Sequence, residues 1–372
     1  MRLRLFAIVF TLTAAFVNVL AGCTPVAPTE EGTVTVTDLL GREVSVPVDV
    51  DSVVAIGPGA LRLVVYAGDL NMVSGIEQMD AERPLGRPYM LANPQLAELP
   101  VIGQGGPNNA PDPERILTVW PDVILSTYTT DASAANELQA KTGIPVVAIS
   151  YGASGFGTTT MFGEIVQNSL RLVGQITGTE KKAQIAIDIL IQAQDDLGTR
   201  TSGIADDGKP SVYVGGLGAR GTHGIESTQG KYALLDAIHA RNVVDETGES
   251  GSVMIDKEKL LAWNPDVLIV DEGGLAALFE DYQKNPVFYE SLSAVQNGSI
   301  YAQLPYNYYN TNLDTAIADA YYLGTVIYPD AFADIDPVPK ANQIYEDLLG
   351  QPVYEQMAES FGGFKPLNLG AE

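Results

Sequence analysis

Fourteen residues of this chain occur twice, 144 positions apart and without a gap. Asp112-Pro113-Glu114-Arg115-Ile116-Leu117-Thr118-Val119-Trp120-Pro121-Asp122-Val123-Ile124-Leu125 recurs as Asp256-Lys257-Glu258-Lys259-Leu260-Leu261-Ala262-Trp263-Asn264-Pro265-Asp266-Val267-Leu268-Ile269, with six of the fourteen pairs identical. Solenoid repeats have periods of roughly 20–50 residues, so an offset this large marks a duplicated lobe. In each copy the leading Asp is a helix N-cap, and Pro113 suits a first helical position. The helix must stop at the X-Pro step. The apolar run that follows reads as a buried parallel strand. Val53–Ile56, Val146–Ile149 and Val212–Val214 are further runs of that kind. Strands alternating with short helices give an α/β fold: two Rossmann-like α/β lobes.

A helical stretch, about residues 159–197, lies between the copies. Gly178 interrupts it and Thr179 can cap the second helix, which places Ala183, Ile187, Leu190 and Ile191 on one face. About 19 residues at 1.5 Å each reach roughly 28 Å, enough for a stiff strut between lobes. The length of 372 residues fits two domains, and an apolar content of 46% supplies their cores. A net charge of −25 argues against nucleic acid, whose phosphates need clustered positive charge.

The N-terminus carries Arg2 and Arg4, an apolar stretch to about Leu20, and Leu20-Ala21-Gly22-Cys23, the layout of a secretory signal. Its end resembles a bacterial lipobox, which implies cleavage before Cys23 and lipid on its sulfur. The apolar run is too short and too polar for a membrane span, which needs about 20 residues. The expected organisation is a leader at 1–22, a tether at 23–33, an N-terminal lobe at 34–165 and a helical connection at 166–200. A C-terminal lobe at 201–330 and an acidic extension at 331–372 complete it.

Taken in order, these pieces resemble the substrate-binding proteins of ferric-siderophore and cobalamin ABC importers, two α/β lobes joined by one rigid helix. The resemblance covers about 34–336, with the binding domain proper at about 52–336. It rests on Val36-Thr37-Asp38-Leu39-Leu40-Gly41-Arg42-Glu43-Val44, on the repeated element, and on Gly143-Ile144-Pro145-Val146-Val147. Leu172-Val173-Gly174-Gln175-Ile176-Thr177-Gly178 and Ala318-Asp319-Ala320-Tyr321-Tyr322-Leu323-Gly324 with Tyr328-Pro329 complete it. An insertion at about 79–98 and the acidic tail depart from the pattern. The resemblance implies a lipid-anchored, extracytoplasmic, monomeric receptor that serves an ABC permease and its ATPase. It also implies that Glu114 and Glu258, equivalent in the repeat, dock onto permease arginines; as first-turn residues they also suit the helix dipole.

Two lobes around a crevice put ligand contacts on the loops at strand ends. Those loops offer Arg62 and Arg220 as planar cationic donors, Asn108 and His223 as further polar groups, and Tyr128, Tyr306, Tyr308 and Tyr309 for stacking or hydrogen bonding. Tyr321 and Tyr322 read as helix packing. Enzyme readings find little support. Gly57-Pro58-Gly59 lacks the third glycine of a dinucleotide fingerprint, and Gly152-Ala153-Ser154-Gly155 is not a nucleophile elbow. His239 lies in an apolar helix pattern. With one cysteine and two histidines, a direct metal site is not expected. The expected cargo is a ferric siderophore, with a corrinoid second and haem or another chelate after it. The negative charge disfavours strongly anionic chelates unless the arginines offset it; neutral or cationic hydroxamate-type chelates and corrinoids carry no such penalty. An envelope enzyme or a non-transport sensor on the same scaffold are the readings of another class.

Overall fold

The computed structural model describes residues 32–82, 84–151, 162–218 and 223–370. The leader, Cys23, most of the tether and Arg220 lie outside them. Thirteen strands follow in order among the described residues: β1 (Thr33–Thr37), β2 (Glu43–Pro47), β3 (Val53–Ile56), β4 (Val73–Gly75), β5 (Val123–Ser126), β6 (Val146–Ala148), β7 (Ser211–Gly215), β8 (Ser227–Gly230), β9 (Arg241–Asn242), β10 (Gly251–Met254), β11 (Val267–Asp271), β12 (Ile300–Gln303) and β13 (Lys365–Pro366). β1 and β2 form an antiparallel hairpin whose turn residue Asp38 also accepts from the Ala148 amide, docking the hairpin on β6.

The first sheet runs β4-β3-β5-β6 and the second β9-β7-β11-β12, each parallel, with β13 added antiparallel at the edge of the second. The two orders correspond strand for strand, so the duplication seen over fourteen residues extends to whole sheets. β8 and β10 pair apart, as an addition to the second lobe. The repeated element is built alike in both copies. Asp112 and Asp256 cap their helices through the amides of Arg115 and Lys259. Trp120 and Asn264, aligned in the repeat, both take positive φ, 46° and 41°, Asn264 as the cap of its helix and Trp120 two residues past the Thr118 cap. Asp122 then accepts the amides of Asp51 and Ser52 before β3, and Asp266 accepts the amide and hydroxyl of Ser211 at the start of β7.

The connection comprises helices Glu164–Thr177 and Glu180–Thr201, separated by Gly178 in a left-handed cap at φ 66°. The second has 22 residues, hence a length of about 33 Å. Ala183, Ile187 and Leu190 are buried as the spacing predicts, but Ile191 is 37% exposed and leaves that face to Ala186, Ala193 and Leu197. Thr179 precedes this helix without capping it, because its hydroxyl donates to the Ala67 carbonyl instead. The helix packs on Ala60–Ala67 in the first lobe and on Ala233–Ala237 and Leu313–Ile327 in the second.

The residues after 331, expected as an acidic extension, are part of the folded body. Helix Pro337–Leu349 buries Ala341, Ile344, Tyr345, Leu348 and Leu349 against helices of both lobes, and helix Tyr354–Phe361 follows. Each large apolar side chain fully buried in this way contributes roughly 1.5–3 kcal/mol. Phe364 stacks on Tyr322 with ring centroids 4.3 Å apart, and Tyr322 is packing as expected. The 79–98 insertion forms short helices, of which Pro88–Ala92 packs on Pro337–Leu349. The two departures from the expected pattern thus pack against each other. No helix among the described residues is long and apolar enough to cross a membrane.

Candidate functional site

The parallel strands of each sheet end on loops, and the 304–312 loop of the second lobe is packed directly onto the first. From the first lobe come 57–60, 103–111 and 127–131; from the second come 216–218, 223–226, 272–274 and 304–312. Close backbone packing sets their paths. Gly57, at φ +88°, lies so near Tyr128 that a Cβ there would sit 2.5 Å from the Tyr128 amide nitrogen. Gly274 is wedged against the Gly216 and His223 carbonyls, which a Cβ would meet at 2.3 and 2.4 Å.

The 304–312 loop reaches from the second lobe onto the first. Arg62 was expected to face a ligand; instead it is fully buried beneath this loop. Its guanidinium donates to the carbonyls of Thr311 (2.8 Å), Tyr308 (3.1 Å) and Tyr309 (3.1 Å), and lies over the Tyr89 ring. It therefore clamps a loop in which Tyr309 and Asn310 hold φ values of 59° and 71°. Such left-handed residues cost about 1–2 kcal/mol each, so the loop needs external support. Three carbonyl acceptors on one buried cation supply it. Asn312 donates to the Gly86 carbonyl, and Tyr66 donates to Asp314 at 2.7 Å, extending the contact between lobes.

Tyr306, expected at the ligand, is instead 7% exposed and packs edge-on to Tyr232 inside the second lobe. Tyr309 is half-buried, and its hydroxyl donates to Glu77 Oε2 (3.0 Å) while accepting from the Gly106 amide (2.8 Å). The Arg87 guanidinium lies 4.4 Å from its ring centroid. Tyr308 is half-buried, with its ring over Gly86 and near Phe361. Tyr128 and His223 are half-buried on loops from opposite lobes, and Asn108 is exposed beside Asn109, whose amide closes the turn onto Gly105. Glu114 and Glu258 are exposed in the first turns of Pro113–Leu117 and Lys257–Trp263.

Glu77, Asp80, Arg87, Tyr151 and Asp314 were not singled out from the sequence, yet they build this wall. Glu77 follows β4 at a strand end, the one signal that marks it. Burial, with Asp80 adding to it, pushes its carboxyl up to about 7, against the lowering effect of bonds from Tyr309 and Gly57. On the second lobe, burial raises Asp271 to about 7 and Glu272 to about 8, and pushes Asp319 well above the usual carboxylate range. A pocket of about 230 Å³ adjoins the Gly106 contact, lined by Gln78, Met79, Glu82, Gln104 and Asn109. Among the described residues no group of three or more His, Cys, Asp or Glu side chains is arranged to hold a metal ion. The pocket offers three amides beside Met79 and Glu82, and the adjoining loops offer tyrosine hydroxyls and rings, groups suited to holding a solute through hydrogen bonds and stacking.

Comparison with known proteins agrees with this architecture. The chain is 22% identical over 309 residues to the ABC transporter substrate-binding lipoprotein YvrC of Bacillus subtilis, covering 82% of this chain and 89% of that one. A periplasmic solute binding protein of Veillonella parvula superposes with a TM-score of 0.68 at 19% identity, covering 88% of this chain and 96% of the other. The molybdate periplasmic binding protein MolA of Haemophilus influenzae gives 0.65 at 19% identity, covering 86% and 98%. At these identities the solved structures show a shared fold. The family model described as periplasmic binding protein matches residues 82–305, more than half of the chain, which therefore belongs to the periplasmic binding protein family.

Proposed function

We propose that this chain is the solute-binding component of an ABC importer and that it captures a metal chelate, a ferric siderophore first, in the crevice between its lobes. The observation that carries the reading is the pair of duplicated sheets, whose strand-end loops bring Tyr309 of the second lobe onto Glu77 and Gly106 of the first beside an amide-lined pocket. Tyr128, Tyr308, Tyr309, Asn108, His223 and Arg220 are the residues assigned to the chelate. A chelate buries its metal in its own donors, so the receptor needs no His or carboxylate cluster. A corrinoid is the second reading, on the same amide- and tyrosine-bearing walls, with haem after it. Cys23 carries the lipid that holds the protein on the outer face of the membrane, and Glu114 and Glu258 meet arginines of the permease. The protein performs no covalent chemistry.

The test is the visible absorption and mass spectrum of small molecules released from protein purified out of its native membrane. A ferric chelate or corrinoid at one per chain supports the reading. A solute containing no metal, recovered at the same stoichiometry, overturns it.

A further inference from the structure

The 304–312 loop is held in two zones. Its base is sealed: Tyr306, Thr311 and Asn312 are buried. The bonds from Arg62 to the Thr311 carbonyl, from Asn312 to the Gly86 carbonyl and from Tyr66 to Asp314 join the lobes wholly in the interior. The tip, residues 307–310, is half-buried, and Asn307 pairs with Thr311 in an isolated antiparallel bridge at its neck. Bonds from the tip to the first lobe lie at the edge of the interior. They run from Arg62 to the Tyr308 and Tyr309 carbonyls, from Asn310 to the Pro58 carbonyl at 3.4 Å, and between the Tyr309 hydroxyl and Glu77 and Gly106. Both left-handed residues of the loop, Tyr309 and Asn310, are in this tip, and backbone strain of that kind concentrates at switch regions. The pocket beside the tip holds about 230 Å³. Sites that enclose a small molecule hold roughly 300–1,000 Å³.

We infer that residues 307–310 form a strap over the crevice, which lifts at the Asn307–Thr311 bridge to admit solute and folds back onto it while the base stays fixed. This deepens the proposed capture of a solute and rests on it only for what enters. Lifting takes the Tyr309 ring off Glu77 and Gly106, turns both polar groups toward the pocket and adds the ring's own volume to it. The bonds that break lie at the edge of the interior, where water replaces them at once. Few buried apolar contacts hold the tip, the condition for opening locally without unfolding the rest. Arg62 keeps the Thr311 carbonyl throughout, so the loop returns to the same place.

The experiment is amide hydrogen exchange, read residue by residue by NMR on the full chain stripped of bound solute, for wild type and Tyr309→Phe. The Gly106 amide, which donates to the Tyr309 hydroxyl, reports the tip; the Asn312 amide, which donates to the Tyr306 carbonyl, reports the base. In wild type Gly106 should exchange more slowly than a free amide but roughly a hundredfold faster than Asn312, at a rate that low urea leaves unchanged. Tyr309→Phe should quicken Gly106 about tenfold and leave Asn312 as it was. Equal, urea-sensitive exchange at both positions would make the tip a permanent part of the contact between lobes, and an unprotected Gly106 would mean that no strap forms; either overturns the inference. Stopped-flow mixing with a neutral ferric trihydroxamate then tests entry. The observed rate should level off as the probe concentration rises, at a plateau that Tyr309→Phe raises about tenfold. A rate that climbs linearly, with Tyr309→Phe altering dissociation alone, would make Tyr309 a contact and overturn the strap as a gate. A probe that fails to bind while exchange behaves as expected counts against chelate capture and supports the strap.

Discussion

Replacing Glu77 with Gln should stabilise the protein in a way that depends on pH. Both bonds to Glu77, from the Gly57 amide and the Tyr309 hydroxyl, end on Oε2, so a glutamine carbonyl in the same place keeps both. What the substitution removes is the ionisable proton. In the folded protein burial raises the Glu77 carboxyl from an ordinary 4.5 to about 7. Below the lower value the residue is protonated whether the chain is folded or not, and ionisation costs nothing. As pH rises the unfolded chain ionises first, so stability falls until the folded carboxyl also ionises near 7. At roughly 1.4 kcal/mol per tenfold, the full cost approaches about 3 kcal/mol at pH 8 and is only about 1 kcal/mol at pH 5. Urea unfolding of wild type and Glu77→Gln at both pH values gives the double difference. The variant is expected to gain about 2 kcal/mol more at pH 8 than at pH 5. An advantage of equal size at both values, or none, would show that the Tyr309 loop does not desolvate Glu77, and the described contact between lobes would be wrong.

Asp271 and Glu272, raised to about 7 and about 8, carry the same sign. Wild-type protein should therefore unfold at a higher urea concentration at pH 5 than at pH 8. Arg62→Met removes the donor to three buried carbonyls and should cost about 3–5 kcal/mol, read as a fall in unfolding midpoint; a loss below 1 kcal/mol would deny the clamp role. Glu114→Arg with Glu258→Arg should leave the fold and ligand affinity nearly unchanged, each site costing about 0.3–1 kcal/mol, while abolishing uptake in vesicles reconstituted with the permease. Normal uptake by that double variant would leave both residues as helix-start glutamates only. Cys23→Ser should release folded protein from membranes, and its retention there would refute the lipid anchor.

The duplication made the frame legible. A fourteen-residue match located both central strands, the helices before them and, through Asp122 and Asp266, the way each strand is tied to its neighbour. The strut was legible because apolar spacing and Gly178 are local signals. The role of Arg62 was not. From sequence it follows a glycine-rich loop at a strand end, where a ligand donor belongs, and only the arrival of a loop some 250 residues away turns it inward. Tyr306 was misread for the same reason, since Tyr232 sits far from it in sequence. The tail reads as acidic by composition, yet Ala341, Ile344, Tyr345 and Leu348 lie at helical spacing and bury one face. That face was visible in the sequence; its partners, chiefly helix Leu313–Ile327 and also the inserted Pro88–Ala92 helix, were not, because no local pattern links segments so far apart.

The central claim is that a metal chelate sits between the lobes, and crystals grown with a neutral ferric trihydroxamate test it most directly. Anomalous diffraction at the iron edge should give one peak per chain, between Tyr128 on one side and Tyr308 and Tyr309 on the other, with no protein atom in the iron's first coordination sphere. An iron peak bonded directly to His223 or to carboxylates of the chain, or a peak outside the crevice, would contradict it.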